Sequence, residues 1–202
     1  MGAAVTDSSL TIHPVWLRAT HWLNALAVVI MTLSGWRIYN ASPLFDFKFA
    51  KEITLGGWLG GAIQWHFAAM WLLAANGLVY LLCNVGSGRI VRKFFPLSPR
   101  AIVADLLAAL RGQLSHADPS QYNAVQRAAY LFAMVDAVLL VLSGLVLWKS
   151  VQFPLLRELL GGYEGARLVH FFAMAAMVAF VMVHLAMAAM VPRTLLAMIR
   201  GR

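Results

Sequence analysis

Cysteine and charge are both scarce in this chain of 202 residues. It contains one cysteine, Cys83, and only 12% of its residues are charged. A single cysteine excludes a disulfide framework, a four-cysteine zinc site, a cysteine-ligated iron–sulfur cluster and the two-thiol attachment of a c-type haem. Any tightly held cofactor must therefore depend on histidine, of which the chain has six.

Apolar residues make up 61% of the chain, whereas an ordinary soluble domain has about 45–50%. We therefore predict an all-α integral membrane protein, a four-helix bundle in one domain over residues 1–202. The apolar runs are continuous, which favours helices over the alternating strands of a barrel. The predicted spans are about 18–39, 57–83, 128–148 and 166–191. The remaining residues suffice for loops but leave no room for a separate catalytic domain.

The net charge of +8 serves mainly to orient these spans. Lysine and arginine near span ends are retained in the cytoplasm. If both termini are cytoplasmic, ten of the sixteen basic residues lie on the inner side, which then carries +7 against +2 outside. We predict that orientation. The basic residues are spread over loops and form no single patch, so the sequence predicts no nucleic-acid partner.

The longest connection joins spans two and three and is predicted to contain a short amphipathic surface helix. Ser98 is placed to cap this helix and Pro99 fits its first position. Apolar residues recur at helical spacing from Ile102 to Leu114. No internal repeat is evident from the sequence.

Four histidines fall within predicted spans, where a polar ring needs a partner and indicates function. His170 and His184 both lie on span four, fourteen residues apart. At about 100° and 1.5 Å per residue they share one face and differ in depth by roughly 21 Å. His21 begins span one at the inner side and matches the depth of His184. His66 begins span two at the outer side and matches His170.

Each matched pair suits a low-spin haem b. Two histidines with no thiolate or carboxylate nearby close both faces of the iron and favour electron transfer, whereas zinc normally takes three or four ligands. We predict two haem b groups, the inner one on His21 and His184 and the outer one on His66 and His170. The residues alone leave three alternatives: hydrogen-bonded histidines in a structural membrane anchor, a metal transporter, or a proton transporter.

Several other residues are candidates for haem contacts. Arg18 for the inner haem, and Arg37 and Arg167 for the outer one, are placed to bind propionates at the membrane edge. Gly35 lies on nearly the same helix face as His21, and Gly77 on nearly the same face as His66, but each glycine is in the opposite leaflet from that histidine. The missing side chain would leave space there for a haem macrocycle. Close helix packing is the alternative use of both glycines.

Three polar residues have less certain roles. Asp136 is the one acid inside a predicted span and is interpreted either as a proton relay to a quinone or as a partner for a polar neighbour. His13 and His116 are expected to be solvated or interfacial, with His13 within reach of an inner-side quinone or propionate. Gly144 on span three carries no specific prediction.

Several motifs together resemble a known family. They are His13-Pro-Val-Trp-Leu-Arg-Ala-Thr-His21-Trp22, Ser34-Gly35-Trp36, Trp65-His66-Phe67, Asn76-Gly77-Leu78-Val79-Tyr80, and the paired His170 and His184. They resemble the bacterial cytochrome b561 and nickel-hydrogenase cytochrome b family. The chain is most similar to its short, thiosulfate-reductase-type subunits, because hydrogenase cytochromes usually contain a fifth span.

The resemblance implies a multi-pass di-haem b protein of the bacterial inner membrane, embedded in lipid. Such a protein passes electrons between the quinone pool and a periplasmic oxidoreductase, either a molybdopterin enzyme or a cytochrome. A stand-alone superoxide:quinone oxidoreductase is the alternative within the family. Whether the chain forms a homo-oligomer stays open.

Overall fold

The computed structural model describes residues 13–111 and 122–201, and all regular structure in them is helical. In chain order the elements are α1 (Val15–Ala41), a 3₁₀ turn (Lys51–Ile53), α2 (Leu59–Gly86), α3 (Arg89–Phe94), α4 (Pro99–Leu110), α5 (Ala124–Lys149), α6 (Pro154–Leu159), α7 (Gly162–Met190) and α8 (Pro192–Arg200). The long helices α1, α2, α5 and α7 have 26 to 29 residues each.

Three of the long helices, α2, α5 and α7, are both long and apolar enough to cross a membrane. At 1.5 Å per residue, even 26 residues extend about 39 Å, more than the roughly 30 Å of hydrocarbon. α1 has the length but is less apolar, since it carries Arg18, His21, Asn24 and Arg37. The chain is thus a multi-pass membrane protein, and three of the four predicted spans meet both criteria.

Local sequence signals set where the helices begin. α2 begins at Leu59 because Gly56 and Gly57, with φ of 104° and 70°, form a turn before it. α5 begins at Ala124 behind a capping box, in which Asn123 and Gln126 each accept a hydrogen bond from the other's backbone N–H. The predicted second span therefore begins two residues before α2, and the predicted third span begins four residues after the start of α5.

α4 forms in the predicted connection and begins at Pro99. The Ser98 Oγ accepts a hydrogen bond from the Ala101 backbone N–H at 3.4 Å, so Ser98 caps this helix as predicted. The predicted continuation to Leu114, and His116 beyond it, lie outside the described residues.

The long helices pack as two hairpins. α1 packs closely against α2, and α5 against α7, while the backbones of the two hairpins stay farther apart and meet through side chains. α8 folds back onto the start of α1, where Arg18 Nη1 donates to the Ile199 carbonyl at 2.6 Å and Trp22 Nε1 donates to the Met198 carbonyl at 3.4 Å. α8 therefore lies at the end of α1 that holds His21.

The two hairpins repeat one pattern of buried residues, contrary to the sequence-based expectation of no repeat. Ser34 on α1 and Ser143 on α5, 109 positions apart (143 − 34), are both fully buried. Ala62 on α2 and Ala166 on α7, 104 positions apart (166 − 62), are fully buried as well. The repeat escapes notice in the sequence because few positions face the other hairpin, whereas lipid-facing positions need only be apolar.

Candidate cofactor site

Two pairs of histidine rings face each other inside the helix assembly. The ring centroids of His21 on α1 and His184 on α7 lie 6.1 Å apart. Those of His66 on α2 and His170 on α7 lie 6.5 Å apart. The structure therefore brings together both predicted pairs. We call the His21 end the inner end and the His66 end the outer end, after their predicted sides.

Both separations fit two imidazoles that bind one metal ion from opposite faces. A metal–nitrogen bond of about 2.0–2.1 Å, plus about 1.1 Å from that nitrogen to the ring centroid, gives a centroid separation of about 6.3 Å. Within the described residues, no group of three or more His, Cys, Asp or Glu side chains is placed to hold a metal ion. Each pair thus offers two imidazoles, the number of protein ligands that a low-spin b-type haem takes.

Ser34 holds the ring of His66 in a defined orientation. The Ser34 Oγ donates its proton to the Ile30 carbonyl at 2.6 Å and lies 3.1 Å from Nδ1 of His66. Because that proton is already used, the hydroxyl faces Nδ1 as an acceptor, and this network assigns the ring proton to Nδ1. Nε2 of His66 then keeps its lone pair for a metal.

Ser143 does the same for His170 in the second hairpin. Its Oγ donates to the Leu139 carbonyl at 2.7 Å and lies 2.9 Å from Nδ1 of His170. Sequence reasoning missed both serines. A serine in an apolar helix ordinarily bonds back to its own backbone, and nothing local to Ser143 indicates a histidine 27 residues away.

A glycine follows each of these serines and makes room for the histidine ring. A Cβ on Gly35 would lie 3.5 Å from Cε1 of His66, and a Cβ on Gly144 would lie 3.4 Å from Cε1 of His170. Any larger side chain would enter the ring's space. The structure places Gly35 at the outer site, where it was predicted, and gives Gly144 the matching role. A Cβ on Gly77 would meet nothing within 4 Å.

The inner pair is built differently. Within the described residues, neither His21 nor His184 makes a side-chain hydrogen bond. Aromatic rings surround them instead: Phe180 stacks on His184 with centroids 5.8 Å apart, and Trp22 meets His21 edge-on at 5.3 Å. The outer site is thus held by hydrogen bonds and the inner site by ring packing.

The three predicted propionate-binding arginines each have protein partners. Arg18 donates to α8, Arg37 Nη2 donates to the Gly57 carbonyl, and Arg167 forms a 2.8 Å ion pair with Glu164. Arg167 also donates to the Ser42 carbonyl at 2.7 Å. Arg18 differs from the other two because its Nε is buried and makes no hydrogen bond. It therefore keeps a donor for an anionic group.

His13 lies beside Arg18 at the inner end, and its buried Nδ1 also makes no hydrogen bond. Burial lowers the pKa of His13, and the positive charges of Arg89, Lys93 and Arg18 lower it further. The ring is thus half-buried among cations just before α1, a position compatible with the interfacial one expected for it. This electropositive inner end suits a carboxylate.

Two more buried polar atoms lack partners. Trp36 stacks on Phe49 with centroids 4.7 Å apart, and its Nε1 makes no hydrogen bond. Asp136 is only 6% exposed, and its Oδ2 has no partner among the described residues. The interpretation of Asp136 as a partner for a polar neighbour therefore finds no support in the described residues.

Fold and site together define an all-helical membrane protein with two pairs of facing histidine rings. Residues 12–201 match the family described as prokaryotic cytochrome b561. The chain belongs to this family, which implies haem b and electron transfer within the membrane to a partner.

Similar proteins carry related names. The chain is 74% identical over 190 residues to a putative protein-methionine-sulfoxide reductase subunit, YedZ1, of Azospira oryzae, and the match covers 94% of this chain and 96% of that protein. It is 27% identical over 202 residues to a probable Ni/Fe-hydrogenase B-type cytochrome subunit of Cupriavidus necator, covering 91% of this chain and 81% of that one. A subunit of the same name from Azotobacter vinelandii is 26% identical over 198 residues, with 90% and 81% covered. These relatives are subunits of oxidoreductases.

Proposed function

We propose that α1, α2, α5 and α7 form a four-helix bundle that spans the bacterial inner membrane with both termini in the cytoplasm. It holds two haem b groups, one on His21 and His184 and one on His66 and His170. The observation that carries this proposal is the pair of ring separations, 6.1 and 6.5 Å, around the value of about 6.3 Å for opposite ligands of one metal.

The function of this arrangement is electron transfer between the quinone pool and an oxidoreductase on the periplasmic side. Haem b held by two histidines would supply a one-electron carrier that needs no substrate contact. The relative named as a putative protein-methionine-sulfoxide reductase subunit supports an enzyme that reduces methionine sulfoxide as the partner. Electrons would then run from quinol, through the bundle, to that enzyme.

The chain's own residues perform the positioning. Ser34 and Ser143 hold the outer histidine rings through Nδ1, which leaves Nε2 to bind a metal, and the glycines beside them leave room for those rings. At the inner end the unpaired Nε of Arg18 is placed to bind a propionate. The backbones of the two hairpins lie farther from each other than the helices within one hairpin do. The space between the hairpins is therefore available to side chains and to the cofactor.

Quinol-driven reduction in liposomes tests this function. Wild-type protein reconstituted with a quinol should develop the α-band of a reduced b haem, and oxidised partner enzyme with methionine sulfoxide should bleach it. His21→Ala and His170→Ala should each lower the band, whereas His116→Ala, outside the predicted spans, should leave it unchanged. A colourless protein that moves zinc or protons in a histidine-dependent way would instead establish a transporter.

Superoxide oxidation is a second candidate, favoured by a cationic cavity at the outer end. The cavity, of about 260 Å³, is lined by Arg37, Lys48 and Lys51 among others. Such a basic cavity attracts a small anion. Superoxide-driven quinone reduction by the isolated protein, lost in Lys48→Gln/Lys51→Gln, would establish this activity, and a turnover equal to that of protein-free liposomes would exclude it.

A further inference from the structure

Asp136 lies on α5 between the depths of the two histidine pairs. Ser143, which contacts His170, follows it by seven residues (143 − 136). Tyr130, whose ring lies 6.4 Å from the His184 ring, precedes it by six (136 − 130). At 1.5 Å per residue these steps are about 10 Å and about 9 Å along the helix axis. The carboxyl therefore lies about halfway in depth between the outer and the inner pair.

Asp136 is the one titratable residue at this depth on the four long helices, all of which the structure describes. Segments 22–36 of α1, 67–79 of α2 and 171–183 of α7 contain none, and segment 131–148 of α5 contains only Asp136. The short helices that contact α5 lie near its ends. Their charged residues are Arg89, Arg92 and Lys93 on α3, Arg100 and Asp105 on α4, and Arg157 and Glu158 on α6. The interior between the histidine pairs therefore contains a single ionisable side chain.

The first hairpin has an alanine where the second has this acid. The offset of 109 positions that relates Ser34 to Ser143 also relates Ala27 on α1 to Asp136 (136 − 27). Ala27 is fully buried and Asp136 is 6% exposed, so both positions face the interior of their hairpin. Packing of the paired helices is thus satisfied by a methyl group, and the carboxyl at 136 is not needed for it.

The Asp136 carboxyl is costly where it lies. Its Oδ2 is buried and makes no hydrogen bond, and no charged group among residues 13–111 and 122–201 acts on it. An ionised carboxylate buried without a partner is strongly disfavoured, and an acid inside a span is a candidate for function by default. The group therefore keeps its proton unless a positive charge arises nearby. A b-type haem gains one unit of positive charge when it is oxidised, and the two proposed haems would lie on either side of Asp136.

We propose that Asp136 is a redox-linked proton-binding site, and this assignment rests on the two haem groups proposed above. The carboxylate takes one proton from water, forming one O–H bond, when an electron enters the bundle. The carboxyl returns that proton to water when the electron leaves for the partner. An electron that enters the interior of the membrane is then accompanied by a proton, so the low-dielectric interior gains no net charge.

The strength of this coupling follows from the depth of Asp136. One unit charge at about 10 Å, with an effective dielectric constant of about 20, changes the proton affinity of the carboxyl roughly tenfold. The reduced bundle has the higher affinity, because the positive charge that favours the carboxylate is then gone. For a one-electron centre a tenfold change corresponds to about 59 mV. A higher pH makes the proton less available and so makes reduction less favourable.

A redox titration of the purified holoprotein at pH values between about 5 and 9 tests this assignment. The wild-type midpoint potentials should fall by about 59 mV in total as the pH rises through the titration of Asp136. Asp136→Asn keeps the shape of the side chain but cannot ionise, and Asp136→Ala reproduces the first hairpin. Both variants should lose this fall and keep the wild-type haem content. Asp46→Asn, an exposed acid in the connection between α1 and α2, is the control and should retain the fall.

Infrared spectroscopy measures the proton itself. In the difference spectrum between electrochemically reduced and oxidised wild-type protein, a C=O band of a protonated carboxyl should appear on reduction. It should shift in D₂O, be absent from Asp136→Asn and persist in Asp46→Asn. No quinone or partner enzyme is needed, so this measurement is independent of turnover.

Three results would overturn the assignment. A wild-type pH dependence in Asp136→Asn, without any loss of a carboxyl band, refutes the proton site and leaves the proposed function intact. Loss of haem from both Asp136 variants makes this acid a structural residue only. A wild-type protein without b-type haem refutes the proposed function and this site together, and the haem-to-protein ratio distinguishes that failure from the other two.

Discussion

Ser143 Oγ lies 2.9 Å from Nδ1 of His170, in the same relation that Ser34 Oγ has to His66 at 3.1 Å. In both cases the hydroxyl proton is already donated within its own helix, so the serine can only accept from the ring. Both outer rings are therefore set for ligation before any cofactor binds. The two hairpins therefore repeat one arrangement of serine and histidine.

Removing either serine hydroxyl should weaken the outer haem. Partners of this kind raise the basicity of a ligating imidazole, and their loss typically costs about 10–100-fold in metal affinity. Ser34→Ala and Ser143→Ala should lose outer haem on dilution and raise its midpoint potential, because a less basic ligand stabilises the oxidised iron less. Threonine at either position should restore both properties.

Ser87 provides the matched control for this change. Ser87 directly follows α2, and its hydroxyl donates to the Cys83 carbonyl of that helix without touching a histidine. Ser87→Ala should leave both haem potentials unchanged. If the potentials of Ser143→Ala equal those of the wild type, the serine is a packing residue only.

Side-chain volume at Gly35 and Gly144 should decide whether the outer haem binds. An added Cβ would stand in ordinary contact with the ring, at 3.5 and 3.4 Å, so alanine should be tolerated. Valine at either position would push His66 or His170 out of line and abolish the outer haem. Absorbance spectra of purified variants measure this, with Gly86→Val as the control, since a Cβ there meets nothing within 4 Å. Full haem content in Gly144→Val would contradict the role of this glycine.

Arg18 is expected to tune the inner haem alone. Removal of a positive charge next to a redox centre stabilises its oxidised form, so Arg18→Gln should lower the midpoint potential of the inner haem and leave the outer one unchanged. A redox titration followed in the visible spectrum separates the two. Arg157→Gln, in the outer connection, is the control. If both potentials of Arg18→Gln match the wild type, Arg18 serves only to hold α8 through the Ile199 carbonyl.

Acidification should destabilise the protein through His13. Because burial and the neighbouring cations lower its pKa in the folded protein below 6.5, the unfolded chain binds the proton more readily as the pH falls. Stability should therefore drop as the pH falls from 6.5 toward the folded pKa, and His13→Gln should reduce that drop. Thermal unfolding midpoints at pH 7.5 and 5.5 measure the effect. An equal loss in wild type and variant would refute the role of His13.

The sequence predicts the histidine pairs because polar rings are rare in apolar spans and the fourteen-residue spacing fixes a shared face at two depths. It does not reveal Ser143 and Gly144, whose functions depend on a contact between helices. The Leu-Ser-Gly triplets at 33–35 and 142–144 are a sequence signal that could have identified them. The contact between Arg167 and the Ser42 carbonyl depends likewise on loop geometry that composition does not specify.

The haem-to-protein ratio of the purified chain and its four histidine variants tests the central claim most directly. The account predicts two b haems per wild-type chain. His21→Ala and His184→Ala should each lose the same one, and His66→Ala and His170→Ala the other, as identified by their distinct midpoint potentials. One haem in the wild type, or a histidine pair whose two variants lose different haems, would contradict it.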